Sequence, residues 1–272
     1  MSHCFPFSLR TLNPLILLLF SELKGTGKTL LPRALSEELG CSLVNLRISD
    51  VVRGEIGTSE KRVVQLFQEA KRCAPSVLFI DEFQALFTSR AAAGEGDSGG
   101  GGSLTATLAG CFDDLNVWNR NAGAESLVTV LASTNEPWAV DPGFLRPGRL
   151  DKCVFVGPLN CQGRVEFLSK RVQSQTERGE KSENSENSEA QLQMLQAVAA
   201  ATEGFTGADL TLLLSRAQDI CSMRKSGASL GNTPPSVEHG DFQEALRKTQ
   251  ASTCPDDILD YTDWISQYPY LQ

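Results

Sequence analysis

The chain has 272 residues, with 25 Lys and Arg against 33 Asp and Glu and a formal net charge of −8. At roughly 100–200 residues per domain, that length makes one to two domains with a real core, and the acidic balance argues against a protein whose main work is gripping a phosphate backbone. The eight cysteines are scattered without a C-x-x-C pair, which excludes zinc-ligand spacing of the usual kind and fits reduced thiols in a cytosolic protein.

In chain order, the apolar run Leu15–Phe20 comes first, after Arg10 and Pro14. It is short, lacks a small-residue cleavage site and runs straight into a glycine-rich turn, so it reads as a buried strand rather than a secretion signal. No stretch approaches the roughly 18 apolar residues of a membrane span. A helix is expected over Thr29–Leu39, a strand over Ser42–Ile48, and a helix with apolar positions Val63, Val64, Phe67 and Ala70. The apolar run Val77–Ile80 then ends in Asp81 and Glu82. Residues 91–103 are too rich in glycine to pack and are expected as a flexible loop. A helix over Leu104–Leu115 and a strand over Leu127–Ala132 follow. Strands alternating with helices imply an α/β fold, a parallel sheet covered on both faces.

After Pro158 only helical patterns remain, at Leu192–Thr202, Gly207–Lys225 and Val237–Gln250. Residues 176–190 carry a tandem SEN repeat and are expected as a disordered surface insertion. The expected organisation is an atypical segment 1–24 that supplies the first strand, an α/β unit over 25–157, a helical unit over 158–251, and a tail over 252–272. The acidic, aromatic stretch Asp256–Tyr268 reads equally as a short docking helix or a mobile end.

The strongest chemical signal is Gly25-Thr26-Gly27-Lys28-Thr29 between an apolar strand and a helix. Glycines let backbone N–H groups close around phosphate oxygens, and the helix N-terminus adds its positive dipole end. Lys28 then suits the β- and γ-phosphates and the Thr29 hydroxyl suits magnesium. The glycine that usually opens such a loop falls on Glu22, which brings a negative charge toward the phosphates, partly offset by Lys24.

Asp81 and Glu82 stand at the carboxyl end of a buried strand, the edge where open α/β sheets bind ligands. Asp81 there suits magnesium held through water, and Glu82 the polarising of an attacking water. An ordinary acidic loop is the alternative. Asn135, ending the run Ala132-Ser133-Thr134-Asn135, suits the same water, or serves as a strand-end turn residue. Arg146 and Arg149 lie on a turn framed by Pro142, Gly143, Pro147 and Gly148. They suit reaching a neighbouring subunit's phosphate, or forming surface salt bridges, for example with Asp141 and Asp151.

These motifs, in this order, resemble the AAA family of ATPases, in the branch typified by valosin-containing protein and its second ATPase module. The likeness extends to Gly57-Thr58-Ser59-Glu60, similar to the family's G-E-S-E, and to Gly204-Phe205-Thr206-Gly207-Ala208-Asp209-Leu210, similar to its G-F-S-G-A-D-L. The resemblance implies a P-loop α/β wedge followed by a small helical lid, with ATP and Mg2+ at their junction. It implies nucleotide contacts from Gly25 through Leu30 and, near the adenine, from Gly207 and Ala208. It also implies a hexameric ring of like or related subunits in which Arg146 and Arg149 act in trans, with protein substrates or adaptors as partners. A cytoplasmic, nuclear or organelle-surface setting follows, without nucleic acid and without stable membrane insertion.

Residues 1–24 do not look like the family, so a truncated or alternatively spliced product is expected. Glu55 and Ile56 stand where the family carries its pore-facing aromatic segment, which weakens the expectation of threading. Two functions therefore compete: an ATPase that remodels protein partners, and a degenerate subunit that joins a ring as a scaffold. A nucleic-acid motor is disfavoured by the charge and by the lack of a basic, aromatic groove.

Overall fold

A computed structural model of the chain describes residues 17–22, 25, 27, 30–52, 58–92, 101–123, 126–176, 185–226 and 237–271. The elements, in order, are β1 (Leu17–Glu22), α1 (Leu30–Leu39), β2 (Ser42–Arg47), α2 (Ile48–Val52), α3 (Thr58–Arg72), β3 (Ser76–Asp81), α4 (Ala85–Ala92), α5 (Gly101–Asn121), β4 (Val128–Thr134) and β5 (Lys152–Val156). Then come α6 (Cys161–Thr176), α7 (Ser185–Ala200), α8 (Gly207–Ser226), α9 (His239–Arg247) and α10 (Pro255–Ser266). The chain divides into two compact units, one of Met1–Glu22, Lys28–Val156 and Leu259–Gln272, the other of Leu23–Gly27 and Gly157–Ile258.

The first unit is built on a five-stranded sheet of order β2-β3-β4-β1-β5. Every pairing is parallel, with Ile80 opposite Ala132, and Leu19 opposite both Ala132 and Cys153. A strand flanked on both sides and covered on both faces must be apolar throughout, and β3 is buried from Ser76 to Ile80. The helix α3 buries Val63, Leu66, Phe67 and Ala70, the i, i+3, i+4, i+7 stripe of an amphipathic helix. Val64, assigned to that stripe from the sequence, is only half-buried, because Leu66 lies closer to the centre of the stripe.

Beneath α3 to α5 lies an aromatic cluster. Phe112 meets Phe67, Phe83 and Phe144 at centroid distances of 5.7, 6.5 and 5.8 Å, all edge to face, a geometry that sets positive ring edges on negative faces. The C-terminal segment belongs to this unit. Tyr261 stacks on Phe155 at 4.1 Å, and Trp264 and Leu271 join the same core.

The second unit is helical. Its core joins Leu168 of α6, Leu195 and Val198 of α7, Leu210, Leu213, Leu214 and Ala217 of α8, and Phe242 and Ala245 of α9. Several boundaries differ from the sequence reading. The helix α7 begins at Ser185, so residues 185–190 of the expected disordered insertion are helical, and Thr176 ends α6. Glu, Gln and Ala are good helix formers even where polarity suggests a loop. Residues 101–103 of the expected glycine-rich loop open α5, whereas residues 93–100, residues 177–184 and Leu15 lie outside the described set. The short elements α2, α4 and β5 had no sequence signal of their own. No described helix is long and apolar enough to cross a membrane.

The variant Phe112→Ala removes the ring shared by three others and is expected to destabilise the first unit by ~3–5 kcal/mol. All three tryptophans lie in that unit, so the urea midpoint followed by tryptophan fluorescence checks it. A change below the scale of a surface substitution contradicts the packing described.

Candidate functional site

In a parallel sheet the strands end on one edge, and β3, β4 and β1 are successive neighbours. Asp81 therefore comes beside Ser133, and Glu82 and Asn135 just beyond. The Ser133 hydroxyl donates to Asp81 Oδ1 at 2.6 Å, and the Glu82 N–H donates to the same oxygen at 3.0 Å. The other oxygen, Oδ2, lies 3.9 Å from Arg47 Nε on β2. Asp81 is thus held by both neighbouring strands. Ser133 was not singled out from the sequence, because its role depends on the β3–β4 register, which no local pattern encodes.

Glu82 has φ +55°, the left-handed region that costs a side-chain-bearing residue of order 1 kcal/mol or more. It is kept there by bonds on both sides: the Phe83 N–H donates to Ser133 O at 2.9 Å and the Ala85 N–H to Glu82 O at 2.9 Å. Phe83 itself is fully buried. Asn135 Oδ1 is buried with no hydrogen-bond partner among the described residues. Buried amide oxygens are normally paired, so this one fits a bound water or ligand group.

The glycine loop is described at Gly25 and Gly27, with φ +92° and +112°. A β-carbon on Gly25 would lie 2.7 Å from Thr206 Oγ1 and 3.0 Å from Ala208 Cβ. The carbonyl of Gly25 accepts the Ala208 N–H at 3.1 Å. Glycine is required there both by the backbone region and by the close approach. Leu30, the first residue of α1, is exposed. Lys24, Thr26, Lys28, Thr29, Glu55, Ile56 and Gly57 lie outside the described residues, and Glu22 is described only as the last residue of β1.

Gly207 and Ala208 open α8. The turn before them is fixed by Asp209, whose Oδ2 accepts from Thr206 N and Thr206 Oγ1, both at 2.9 Å, and from Ser252 N and Oγ at 3.2 and 2.8 Å. Thr206 Oγ1 in turn accepts the Asp209 N–H at 3.3 Å, a reciprocal cap of the helix start. Burial pushes the Asp209 carboxyl up, but these hydrogen bonds to its charged form outweigh burial and hold it below the usual range.

On the arginine turn, Arg146 is exposed. Arg149 pairs in bidentate fashion with Asp113 of α5, Nε to Oδ1 at 3.0 Å and Nη2 to Oδ2 at 2.8 Å. The salt-bridge alternative thus holds for Arg149, with Asp113 in place of the example partners Asp141 and Asp151. Asp141 accepts the Gly143 N–H at 2.7 Å and Asp151 the Gly148 N–H at 3.4 Å, so both carboxylates cap backbone of the turn. Burial raises the Asp151 carboxyl.

A parallel sheet of this order, a strand opening into a glycine turn and a helix, and two acids at the end of a buried strand one place removed in the sheet define the class of P-loop nucleoside triphosphatases. The chain belongs to the AAA family: residues 18–158 match the model described as "ATPase family associated with various cellular activities (AAA)". It is similar to the ATP-dependent zinc metalloprotease FtsH of Pirellula staleyi, 37% identical over 84% of this chain and 29% of the relative. It is also similar to the nuclear valosin-containing protein-like protein of Mus musculus, 32% identical over 87% of this chain and 26% of the relative. The chain therefore spans less than a third of these two curated relatives. Among solved structures, the FIGL-1 AAA domain in complex with ADP matches with a TM-score of 0.70 at 22% identity, covering 96% of this chain and 80% of that one.

The linkage of Asp209 has a definite sign. Its folded pKa is depressed, so its stabilisation is fully present above the unfolded value of about 3.9 and disappears as pH falls through the folded value. The variant Asp209→Asn is expected to lose ~1–3 kcal/mol at neutral pH. That deficit should close as pH drops below about 4. Thermal melts by far-UV circular dichroism from pH 7 to pH 2 check it, and a deficit that widens toward low pH contradicts the assignment.

Proposed function

We propose that the chain is an ATP-binding and hydrolysing module that works in a ring of like or related AAA subunits and couples turnover to remodelling protein partners. The observation that carries this is the carboxyl edge of the sheet. There Asp81 is oriented by Ser133, Glu82 is held in a left-handed conformation, and Asn135 buries an amide oxygen that has no partner among the described residues.

Nucleotide contacts are assigned to Gly25, Thr26, Gly27, Lys28, Thr29 and Leu30 and, beside the base, to Gly207 and Ala208. Thr29 and Asp81 would hold magnesium, which would supply positive charge to the phosphate oxygens. Ser133 keeps one oxygen of Asp81 fixed. Glu82 orients and polarises the attacking water, and Asn135 holds the same water. The turn that carries Arg146 and Arg149 supplies positive charge to a neighbouring subunit's site. The domain reading is an α/β module over 25–157 and a lid over 158–251. The bacterial relatives are by name ATP-dependent zinc metalloproteases, which supports a protein substrate or adaptor. The proposed setting is the cytoplasm, nucleus or an organelle surface.

One observation favours a scaffold role instead. The strand β1 continues through Glu22, paired with Val156, where a glycine would open the loop earlier and more closely.

Titration with a fluorescent ATP analogue and steady-state hydrolysis decide between the two. The variant Lys28→Ala is expected to weaken binding by ~1.5–3 kcal/mol, the scale of a charge-assisted hydrogen bond. Glu82→Gln should bind normally and lose turnover, because its role is confined to activating water. Equal affinity of Lys28→Ala and the parent, or parental turnover in Glu82→Gln, overturns the enzymatic reading.

A further inference from the structure

We infer that the two arginines of the turn divide the work. Arg149 is a positioning residue clamped by Asp113 of its own chain, and Arg146 alone offers its guanidinium to a neighbouring subunit. This rests on the trans-acting role proposed above for the turn.

A guanidinium has five N–H donors on three nitrogens in a rigid plane. All three nitrogens of Arg149 are engaged: Nε and Nη2 by the two oxygens of Asp113, and Nη1 by Gly143 O at 3.0 Å. The plane also lies over the ring of Phe144, 5.6 Å from its centroid, and Phe144 is a buried member of the aromatic cluster. A bidentate, stacked guanidinium of this kind has its geometry already satisfied. To reach a phosphate it would have to abandon a carboxylate, a carbonyl and an aromatic face together.

A second grip from α5 points the same way. Asn116, three residues after Asp113 and so on the same helix face, donates to Gly148 O at 3.2 Å. Gly148 has φ +89°, and a β-carbon there would lie 2.5 Å from Asn116 Nδ2. The turn is thus seated on α5 at two successive points. It is closed by the Arg149 N–H donating to Arg146 O at 3.0 Å. Fixing Arg149 therefore fixes the stem from which Arg146 projects. Arg146 is exposed and takes part in no ion pair among the described residues. The clamp holds the turn and leaves Arg146 without an ion-pair partner among the described residues.

A four-variant set on the full chain tests this: Asp113→Ala, Arg149→Ala, the two combined, and Arg146→Ala, each measured for kcat, for KM with ATP and for melting temperature. If Arg149 positions, Asp113→Ala and Arg149→Ala lower kcat by similar factors with KM unchanged, and the combined variant is no worse than either alone. Arg146→Ala then loses on the order of 10³-fold or more in turnover without a change in melting temperature. If Arg149 is itself a trans donor, releasing it from Asp113 leaves turnover intact or raises it, while Arg149→Ala falls as far as Arg146→Ala. That result overturns the inference. Should the parent show no turnover at any concentration, the ATPase reading fails, and the melting temperatures still decide the clamp. Shifts from Asp113→Ala and Arg149→Ala that merely add in the combined variant reject it, and shifts that do not add uphold it.

Discussion

Parallel pairing of β3 with β4, and of β4 with β1, is the constraint on which the first unit's chemistry depends. It forces strand ends distant in sequence onto one edge, so a carboxylate at the end of β3 meets a hydroxyl at the end of β4 without any loop having to carry either. Apolar burial drives this arrangement, because β3 has no face exposed to water from Ser76 to Ile80. Hydrophobic side chains thereby set the place of the polar ones. The Ser133–Asp81 bond at 2.6 Å is the direct product of that register.

The groups least comfortable in the fold gather at this same edge. Glu82 occupies a backbone region that favours glycine, and Asn135 keeps a buried oxygen without a partner among the described residues. The Glu82 conformation persists because its surroundings over-determine it: Phe83 is locked into the aromatic cluster and the Ser133 carbonyl takes the Phe83 N–H. Stability elsewhere in the unit, from the interleaved phenylalanines and the docked C-terminal helix, supports this local cost.

The helical unit solves a different problem with one carboxylate. Asp209 caps α8, holds Ser252 and so ties the chain after α9 to the turn that carries Gly207 and Ala208. The same turn receives the Gly25 carbonyl. Buried polar networks of this type specify geometry when they are satisfied, and here four donors converge on one oxygen of Asp209 and hold the carboxyl ionised.

By itself the sequence determined the fold class and the chemistry on offer. Alternating apolar strands and helices made a parallel α/β sheet, and Gly25, Gly27, Asp81, Glu82, Asn135 and the arginine turn announced themselves because each sits beside a local signal, a strand end or a glycine or proline pair. Local signals also misled: the SEN repeat reads as a loop until Ser185, where good helix formers carry α7 onward. Only the tertiary structure decided that Ser133 orients Asp81, that Asp209 binds Ser252, and that Arg149 pairs with Asp113 rather than with Asp141 or Asp151. Those partners are separated by dozens of residues and share no periodic pattern. Strand register and helix packing, which arise from burial summed over the whole unit, are what bring them within hydrogen-bonding distance.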